Sequence, residues 1–324
     1  MKAVLVEEET KLLYIGNYDE PILKDDELLV KVKATALNRS DLLQRKGLYS
    51  ISKDVSPILG IEMSGDVIQV GKNVKNFKVG DRVYGLLSGG GYAEKVTIHS
   101  QLAMRIPDFF TYEEAAAIPE AFLTAYLNLI KIGGTKKGDH ALIHAGASGV
   151  GTAAIQLANE IGATSIVTSS SKEKLDICSY LGATFPINYK KESFSKKVLE
   201  ITKNKGVDII LDFIGSSFWQ ENMKSISVYG KWIVLGGLGG YEVNVNLRDI
   251  LAKRIQIIGS TLRTRSVQEK IELTKDFEAF SYNLFKEGKL KPVIDSIYNW
   301  RDVMEAHQYM EDNNNIGKII LKVN

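Results

Sequence analysis

The stretch DHALIHAGASGVGTAAIQL, residues 139–157, limits what this chain can fold into more than any other. A short apolar run, Ala141 to Ile143, is bounded by polar residues. Gly146, Gly149 and Gly151 follow, and then Ala153, Ala154, Ile155, Leu157 and Ala158 recur at helical spacing. This reads as strand, glycine turn, helix. Such a turn needs glycines because the backbone must pass close to a pyrophosphate and then pack tightly on a sheet. The helix start supplies unpaired N–H groups and a positive dipole end. A dinucleotide is the natural ligand. The spacing is GxxGxG and not the commoner GxGxxG, so the pattern alone also fits a glycine-rich turn in an ordinary α/β protein. The downstream sequence separates the two.

From residue 138 onward strand and helix signals alternate: SIVTSS, PIN, VDIILDFIG, KWIVLGG and IQIIGS, with helical periods between them. The near-repeats EIGATSIVT and YLGATFPIN place Gly162 and Gly182 where helices should end. Continuous β-branched strands with helical crossovers predict a parallel sheet covered on both faces. Residues 1–120 are mainly β, with short runs at 28–32, 64–70, 82–86 and 93–98 separated by glycine-bearing turns. Residues 112–130 read as two helical pieces, the second largely apolar and therefore buried. Residues 266–290 form a long amphipathic helix, and 293–322 carry strand, helix and strand that return to complete the first domain. The predicted class is α/β: a barrel-like β domain from 1–120 and 288–324, and a doubly wound parallel-sheet (Rossmann) domain from 121–287.

At 324 residues there is room for two cores, and 44% hydrophobic with 25% charged is an ordinary globular balance. Lys+Arg 41 against Asp+Glu 39 gives no overall field to attract nucleic acid or an anionic membrane. The single cysteine, Cys178, excludes an intramolecular disulfide and a multi-cysteine zinc lobe, and fits a reducing compartment. Met1 opens into strand-like KAVLVEE with no basic and apolar leader, and no apolar run reaches the length of a membrane span. The expectation is a cytoplasmic protein.

The second strand of a dinucleotide fold normally ends near the adenosine ribose, where a carboxylate selects NAD. Here Thr168, Ser169, Ser170 and Ser171 stand at that place, and no acid appears before Glu173. Hydroxyls with Lys174 one helical turn later suit a phosphate on that ribose, because they donate hydrogen bonds and one positive charge and present no repelling carboxylate. NADPH is favoured over NADH. A serine run is also an ordinary helix N-cap, and both roles can hold together.

The order of a small β domain, AAAIPEAFLTAY, HAGASGVGTAAIQLA, LGATFPINYKKE and the closing AHQYMEDNNNIGKIIL resembles the medium-chain dehydrogenase/reductase superfamily. Within it, LIHAGASGVGTAAIQL, AAAIPEAFLTAY and ALNRSDLLQRKGLY are similar to the zinc-free quinone oxidoreductases, especially the p53-inducible type. The resemblance covers the whole chain. It implies a GroES-like catalytic domain, a Rossmann coenzyme domain, NADPH as cofactor and a homodimer paired through the coenzyme domains. Zinc-dependent relatives carry Cys where this chain has Asn38, and Gly-His-Glu where it has Gly60, Ile61 and Glu62. With one cysteine and four histidines scattered at 99, 140, 144 and 307, no metal site is expected. Hydride delivery would then need an acceptor that is already electron-poor, such as a quinone or conjugated carbonyl.

Carried over residue by residue, the resemblance puts Ser170, Lys174 and Tyr189 around the 2'-phosphate, and Gly149, Val150 and Gly151, with Gly146 of the same turn, at the pyrophosphate. Thr124 would stand near the nicotinamide, with Gly236, Gly237 and Leu238 and Ser260, Thr261 and Leu262 lining its carboxamide, and Asn315 closing over the cofactor. Asn38 and Tyr49 would face the nicotinamide and substrate. Tyr49, protonated at neutral pH given an ordinary tyrosine pKa near 10, would polarise the carbonyl or relay a proton; a tyrosine on a polar loop also serves as a packing lid. Ser148 is either a catalytic serine beside the tyrosine or a small residue for tight packing. Asp41 is either an N-cap or a second polar group in the site. Three functions fit: an NADPH:quinone oxidoreductase, an NADPH-dependent reductase of α,β-unsaturated carbonyls or enoyl thioesters, and a non-enzymatic NADPH- or RNA-binding protein. The near-zero net charge and the lack of an aromatic-plus-basic platform count against RNA. The cationic LRTRS, residues 262–266, is read as contacting solvent or an adjoining subunit.

Overall fold

The computed structural model describes residues 1–49, 51–52 and 55–323. Ser50, the last residue of the polar segment 36–50, lies outside the described residues. The chain divides into two compact units: Met1–Glu120 with Arg263–Tyr282 and Pro292–Asn324, and Ala121–Leu262 with Asn283–Lys291.

The first unit opens with the hairpin β1 (Lys2–Val6) and β2 (Leu13–Asn17), followed by β3 (Glu27–Ala36), helix α1 (Arg39–Arg45), β4 (Glu62–Val70), β5 (Arg82–Leu86), β6 (Lys95–His99), β7 (Ala103–Arg105) and helix α2 (Tyr112–Ala116). In β3, Val30, Val32, Ala34 and Ala36 are buried while Lys31 is exposed, the period of two that a half-covered strand requires. Its register with β4 runs from Leu28 opposite Val70 to Thr35 opposite Met63, with two irregularities. Leu28, Met63, Val67, Val83 and Ile319 share one core with Trp300 and Met310. Each such side chain stabilises by roughly 1.5–3 kcal/mol on burial.

The second unit follows helix α3 (Pro119–Tyr126), which runs on into a π-helical turn, Leu127–Ile132. Its strands and helices alternate: β8 (His140–Ile143), α4 (Gly149–Glu160), β9 (Thr164–Ser169), α5 (Lys172–Tyr180), β10 (Phe185–Asn188), α6 (Phe194–Ile201), β11 (Val207–Asp212), α7 (Trp219–Ser225), β12 (Ile226–Val234), α8 (Leu247–Lys253) and β13 (Gln256–Gly259). All neighbours pair in parallel in the order β10-β9-β8-β11-β12-β13. This is the doubly wound arrangement, whose order reverses between β8 and β11. Gly162 and Gly182 have φ of 75° and 100° just past α4 and α5, the left-handed stop read from the near-repeats.

The long helix is α9 (Val267–Lys286). The sequence reading assigned all of it to the second domain, whereas residues 263–282 cluster with the first unit. The physical reason is that Ile271 joins the first unit's core, and Lys270 and Arg263 hydrogen-bond to Ser88. The tail then supplies β14 (Ile294–Asn299), α10 (Val303–Glu311) and β15 (Lys318–Lys322), which complete the sheet order β14-β15-β3-β4-β5-β7, with β6 also pairing β3.

Candidate active site

Within the second unit, the residues read as cofactor contacts gather along one edge of the parallel sheet, at the carboxyl ends of its strands. The turn after β8 runs through Ala145, held at φ 49°, and Gly146, whose N–H donates to Thr168 O at 3.0 Å. A Cβ on Gly146 would lie 2.0 Å from Val167 Cγ1; one on Gly151 would lie 2.4 Å from Ala145 O and 2.6 Å from Gly146 O. Both positions therefore require glycine for close approach. Ser148 is the N-cap of α4: its Oγ accepts from Gly151 N–H at 3.0 Å. The N–H groups of Gly149 and Val150 stand in the first turn, where no carbonyl of the helix itself can take them.

At the neighbouring strand end, Ser171 Oγ caps α5 by accepting from Lys174 N–H at 3.3 Å. Tyr189 N–H donates to Ser169 O at 3.3 Å, and the Tyr189 ring packs edge-on against Phe218 at 5.1 Å. Ser169, Ser170, Lys174 and Tyr189 thus belong to one corner, at the ends of β9 and β10. Beyond β12, Leu238 N–H donates to Phe213 O and Gly239 N–H to Ile214 O at 2.7 Å. Beyond β13, Ser260 N–H donates to Val234 O, and the Ser260 hydroxyl is buried with no hydrogen-bond partner. Thr124 is buried on α3, its carbonyl accepting from Asn128 Nδ2 at 2.8 Å.

Beneath this edge lies a buried polar chain that no spacing in the sequence announces. His144, one residue past β8, sits between Thr168 Oγ1 at 2.8 Å from Nδ1 and Asn222 Oδ1 at 2.7 Å from Nε2. Asn222 Nδ2 donates to Asp212 Oδ2 at 3.1 Å, which fixes its oxygen toward His144; His144 Nε2 is therefore the donor and Nδ1 accepts from the threonine. Burial holds His144 below the ordinary histidine range, against the pull of Asp212. Asp212 also accepts from Trp232 Nε1 at 3.0 Å and from the N–H groups of Ile214 and Gly215 at 2.7 and 3.0 Å. That carboxylate, with four donors, ties the turn after β11 to the sheet, and this turn in turn holds the glycine loop after β12. The order of Gly236, Gly237 and Leu238 thus descends from Asp212.

In the first unit, adjacency of β15, β3 and β4 brings Lys318, Asn38 and Glu62 to one sheet end. Lys318 Nζ donates to Glu62 Oε1 at 2.7 Å, Asn38 Oδ1 at 2.7 Å and Leu37 O at 2.8 Å. Asn38 Nδ2 donates to Glu62 Oε1 at 2.8 Å and Ala36 O at 3.3 Å. Asn38 is thereby held between Glu62 and Lys318 at its own sheet end. The N-cap of α1 is Asn38 and not Asp41, which stands at the third helical position as the capping-box partner: its Oδ2 accepts from Asn38 N–H at 2.8 Å and its Oδ1 from Gly60 N–H at 3.0 Å. Tyr92 OH stands 3.4 Å from Asp41 Oδ2 and 3.3 Å from His307 Nε2. Burial pushes the Asp41 carboxyl up to about 6 and His307 down to about 3. Asn315 Nδ2 donates to Gly317 O at 2.9 Å, closing the turn into β15. Burial raises the Tyr49 phenol, so it is a proton donor at neutral pH.

The stretch LRTRS keeps its solvent reading at Thr264 and Ser266, which are exposed, and departs from it at Arg263. Arg263 is partly buried, with Nε donating to Ser88 O at 2.9 Å and one terminal nitrogen to Gln44 Oε1 at 2.7 Å.

Two family models match: an alcohol dehydrogenase GroES-like domain over residues 24–108, and a zinc-binding dehydrogenase domain over residues 149–276. The chain belongs to the medium-chain dehydrogenase/reductase superfamily, with a GroES-like domain and a Rossmann domain. It is 32% identical to human quinone oxidoreductase over 93% of this chain and 90% of that one. It is 33% identical to the zebrafish synaptic vesicle membrane protein VAT-1 homolog, over 94% of this chain and 68% of that one. The crystal structure of Escherichia coli quinone oxidoreductase complexed with NADPH matches with a TM-score of 0.91 at 27% identity, covering all of both chains. Despite the second domain's description, the donor set does not fit zinc: Asn38 and Ile61 offer no thiolate or imidazole, and among the described residues no group of three His, Cys, Asp or Glu can hold a metal. No helix among the described residues is long and apolar enough to cross a membrane.

Proposed function

We propose that the protein is an NADPH-dependent quinone oxidoreductase that passes reducing equivalents to small quinones without zinc. The observation that carries this is the sheet edge of the second unit: a glycine cradle at the start of α4, and a hydroxyl corner at the ends of β9 and β10 with no carboxylate before Glu173. A 2'-phosphate is favoured there by Ser170, Lys174 and Tyr189, and a pyrophosphate by Gly149, Val150 and Gly151. The orphaned Ser260 hydroxyl suits the carboxamide of a nicotinamide ring, beside Gly236, Gly237, Leu238, Thr261, Leu262 and Thr124. Bound NADPH would supply the hydride. The chain's own contribution is orientation, exclusion of water and a protonated Tyr49, with Ser148 keeping its hydroxyl proton free to donate while its oxygen caps α4. Asn38 holds the local frame with Glu62 and Lys318, and Asn315 the turn before β15.

A homodimer through the coenzyme unit is supported by the edge strand β13 and the apolar side chains around it, with Leu251 73% and Tyr241 79% exposed. A cytoplasmic location is consistent with a chain that carries one buried thiol. The test is NADPH oxidation over a panel of quinones, conjugated enals and enoyl thioesters. Turnover confined to the quinones supports the proposal, turnover confined to enals or thioesters replaces it with the second reading, and no turnover with any acceptor removes it.

A further inference from the structure

Arg263 carries more than its packing accounts for. Its guanidinium lies 5.2 Å over the Tyr49 ring, within the range of a cation–π contact. Its two hydrogen-bonded nitrogens meet neutral oxygens, Ser88 O and Gln44 Oε1, and its remaining terminal nitrogen is buried with no partner at all. A second cation stands behind it: Lys270, 4% exposed, donates to Arg263 O at 2.7 Å and reaches Ser88 Oγ at 3.4 Å. Burial holds Lys270 below the ordinary lysine range; Arg263 adds to that and Glu120 opposes it. The charges facing this corner are thus Lys270, Glu120 and, more distantly, Asp41. A buried cation is costly unless paired, and a buried donor without an acceptor costs its full desolvation. Among the described residues this N–H edge is left without the oxygen it requires.

We propose that the unpartnered terminal nitrogen of Arg263 donates to the carbonyl oxygen of the acceptor. This rests on the reductase reading above. In the step, the acceptor gains a hydride, two electrons and one hydrogen, at a carbon conjugated to the carbonyl, while the cofactor is oxidised to NADP⁺. Negative charge gathers on the acceptor oxygen, where the guanidinium meets it, and a proton from water completes the product. A planar donor fixed by Ser88 and Gln44 is preorganised for charge that grows only as reduction proceeds.

The test is steady-state kinetics of the NADPH-saturated enzyme with 1,4-naphthoquinone and a conjugated enal, for wild type, Arg263→Gln and Arg263→Lys, with NADPH affinity measured by fluorescence titration. Losing a hydrogen bond to a charged donor should lower kcat/KM for the acceptor about 10- to 100-fold in Arg263→Gln, with NADPH affinity within about threefold of wild type. Arg263→Lys keeps the charge without the fork and should lose a smaller part, about three- to tenfold; it carries the test alone if the Gln variant fails to fold. Wild-type kcat/KM in the folded variants overturns the assignment, as does a loss seen in NADPH affinity instead of acceptor kinetics. Failure of the underlying reading looks different: wild-type enzyme itself would oxidise no NADPH with either acceptor.

Discussion

Alanine at the two close-packed glycines should separate packing from cofactor binding. At Gly146 the new Cβ would meet the side chain of Val167, with Cγ1 at 2.0 Å, and Cys178 Sγ at 3.1 Å. A methyl group can move, so Gly146→Ala should cost about 1–3 kcal/mol of overpacking while the turn keeps its course. At Gly151 the three nearest atoms are all backbone: Ala145 O at 2.4 Å, Gly146 O at 2.6 Å and Gly146 C at 2.7 Å. No rotamer relieves that clash. The start of α4 must move away from the turn, and the N–H groups of Gly149 and Val150 move with it. Alanine's better helix propensity, about 1 kcal/mol over glycine, offsets part of the stability loss. Gly151→Ala should therefore be the more severe change both in urea unfolding and in calorimetric titration with NADPH, weakening the dinucleotide by at least tenfold. Gly146→Ala should bind within a few-fold of wild type, and adding Val167→Ala should cost less than the two single changes together. Equal NADPH losses in the two single variants, or wild-type affinity in Gly151→Ala, would refute the assignment of this turn to the pyrophosphate.

Ala145 is an alanine held in the left-handed region at φ 49°. That costs roughly 1–2 kcal/mol, against roughly 0.5–1 kcal/mol of extra chain entropy for glycine, so Ala145→Gly should raise the melting temperature slightly, and a fall would contradict the strain. Ser148→Ala should lose about 1 kcal/mol in urea melts through its cap on Gly151 N–H, and Ser148→Thr should restore most of it; activity lost with stability intact would contradict a capping role. Asp41 and His307 give opposing pH slopes. With Asp41 pushed up to about 6 from 3.8, the folded chain holds the extra proton and stability falls as pH rises through that window. With His307 pushed down to about 3 from 6.5, the unfolded chain holds it and stability rises with pH. Asp41→Asn removes the first slope, so between pH 4 and 6 the variant should gain about 2 kcal/mol more than wild type; parallel curves from urea melts at each pH would contradict the buried-carboxyl assignment.

Much of this architecture is written locally. The apolar runs near β8, β9, β11 and β12, and the glycines after α4 and α5, place the parallel sheet because each signal lies within a few residues of the element it specifies. The glycine turn and the serine corner were legible for the same reason. The choice for Asp41 was also available, since Asn38 and Asp41 stand at capping-box spacing. Other features depend on contacts between distant segments. His144, Thr168, Asp212, Asn222 and Trp232 come from five separate elements and share no period, so no pattern could join them before the sheet order did. Arg263 looked like surface charge because LRTRS is polar throughout; only the loop carrying Ser88 and the side chain of Gln44 turn it inward. The π-helical turn at Leu127–Ile132 is invisible to a 3.6-residue period, and is fitted to the unit where Gly133 leaves room for Ile209.

The most direct measurement is calorimetric titration of NADPH and NADH into the wild-type protein and Lys174→Ala. The hydroxyl and ammonium corner at the ends of β9 and β10 predicts that wild type binds NADPH at least about tenfold more tightly than NADH, by one or more charge-assisted hydrogen bonds to the 2'-phosphate. It predicts that Lys174→Ala loses most of that preference while its NADH affinity stays near wild type. Equal affinity for the two dinucleotides in wild type, or equal losses for both in the variant, would contradict it.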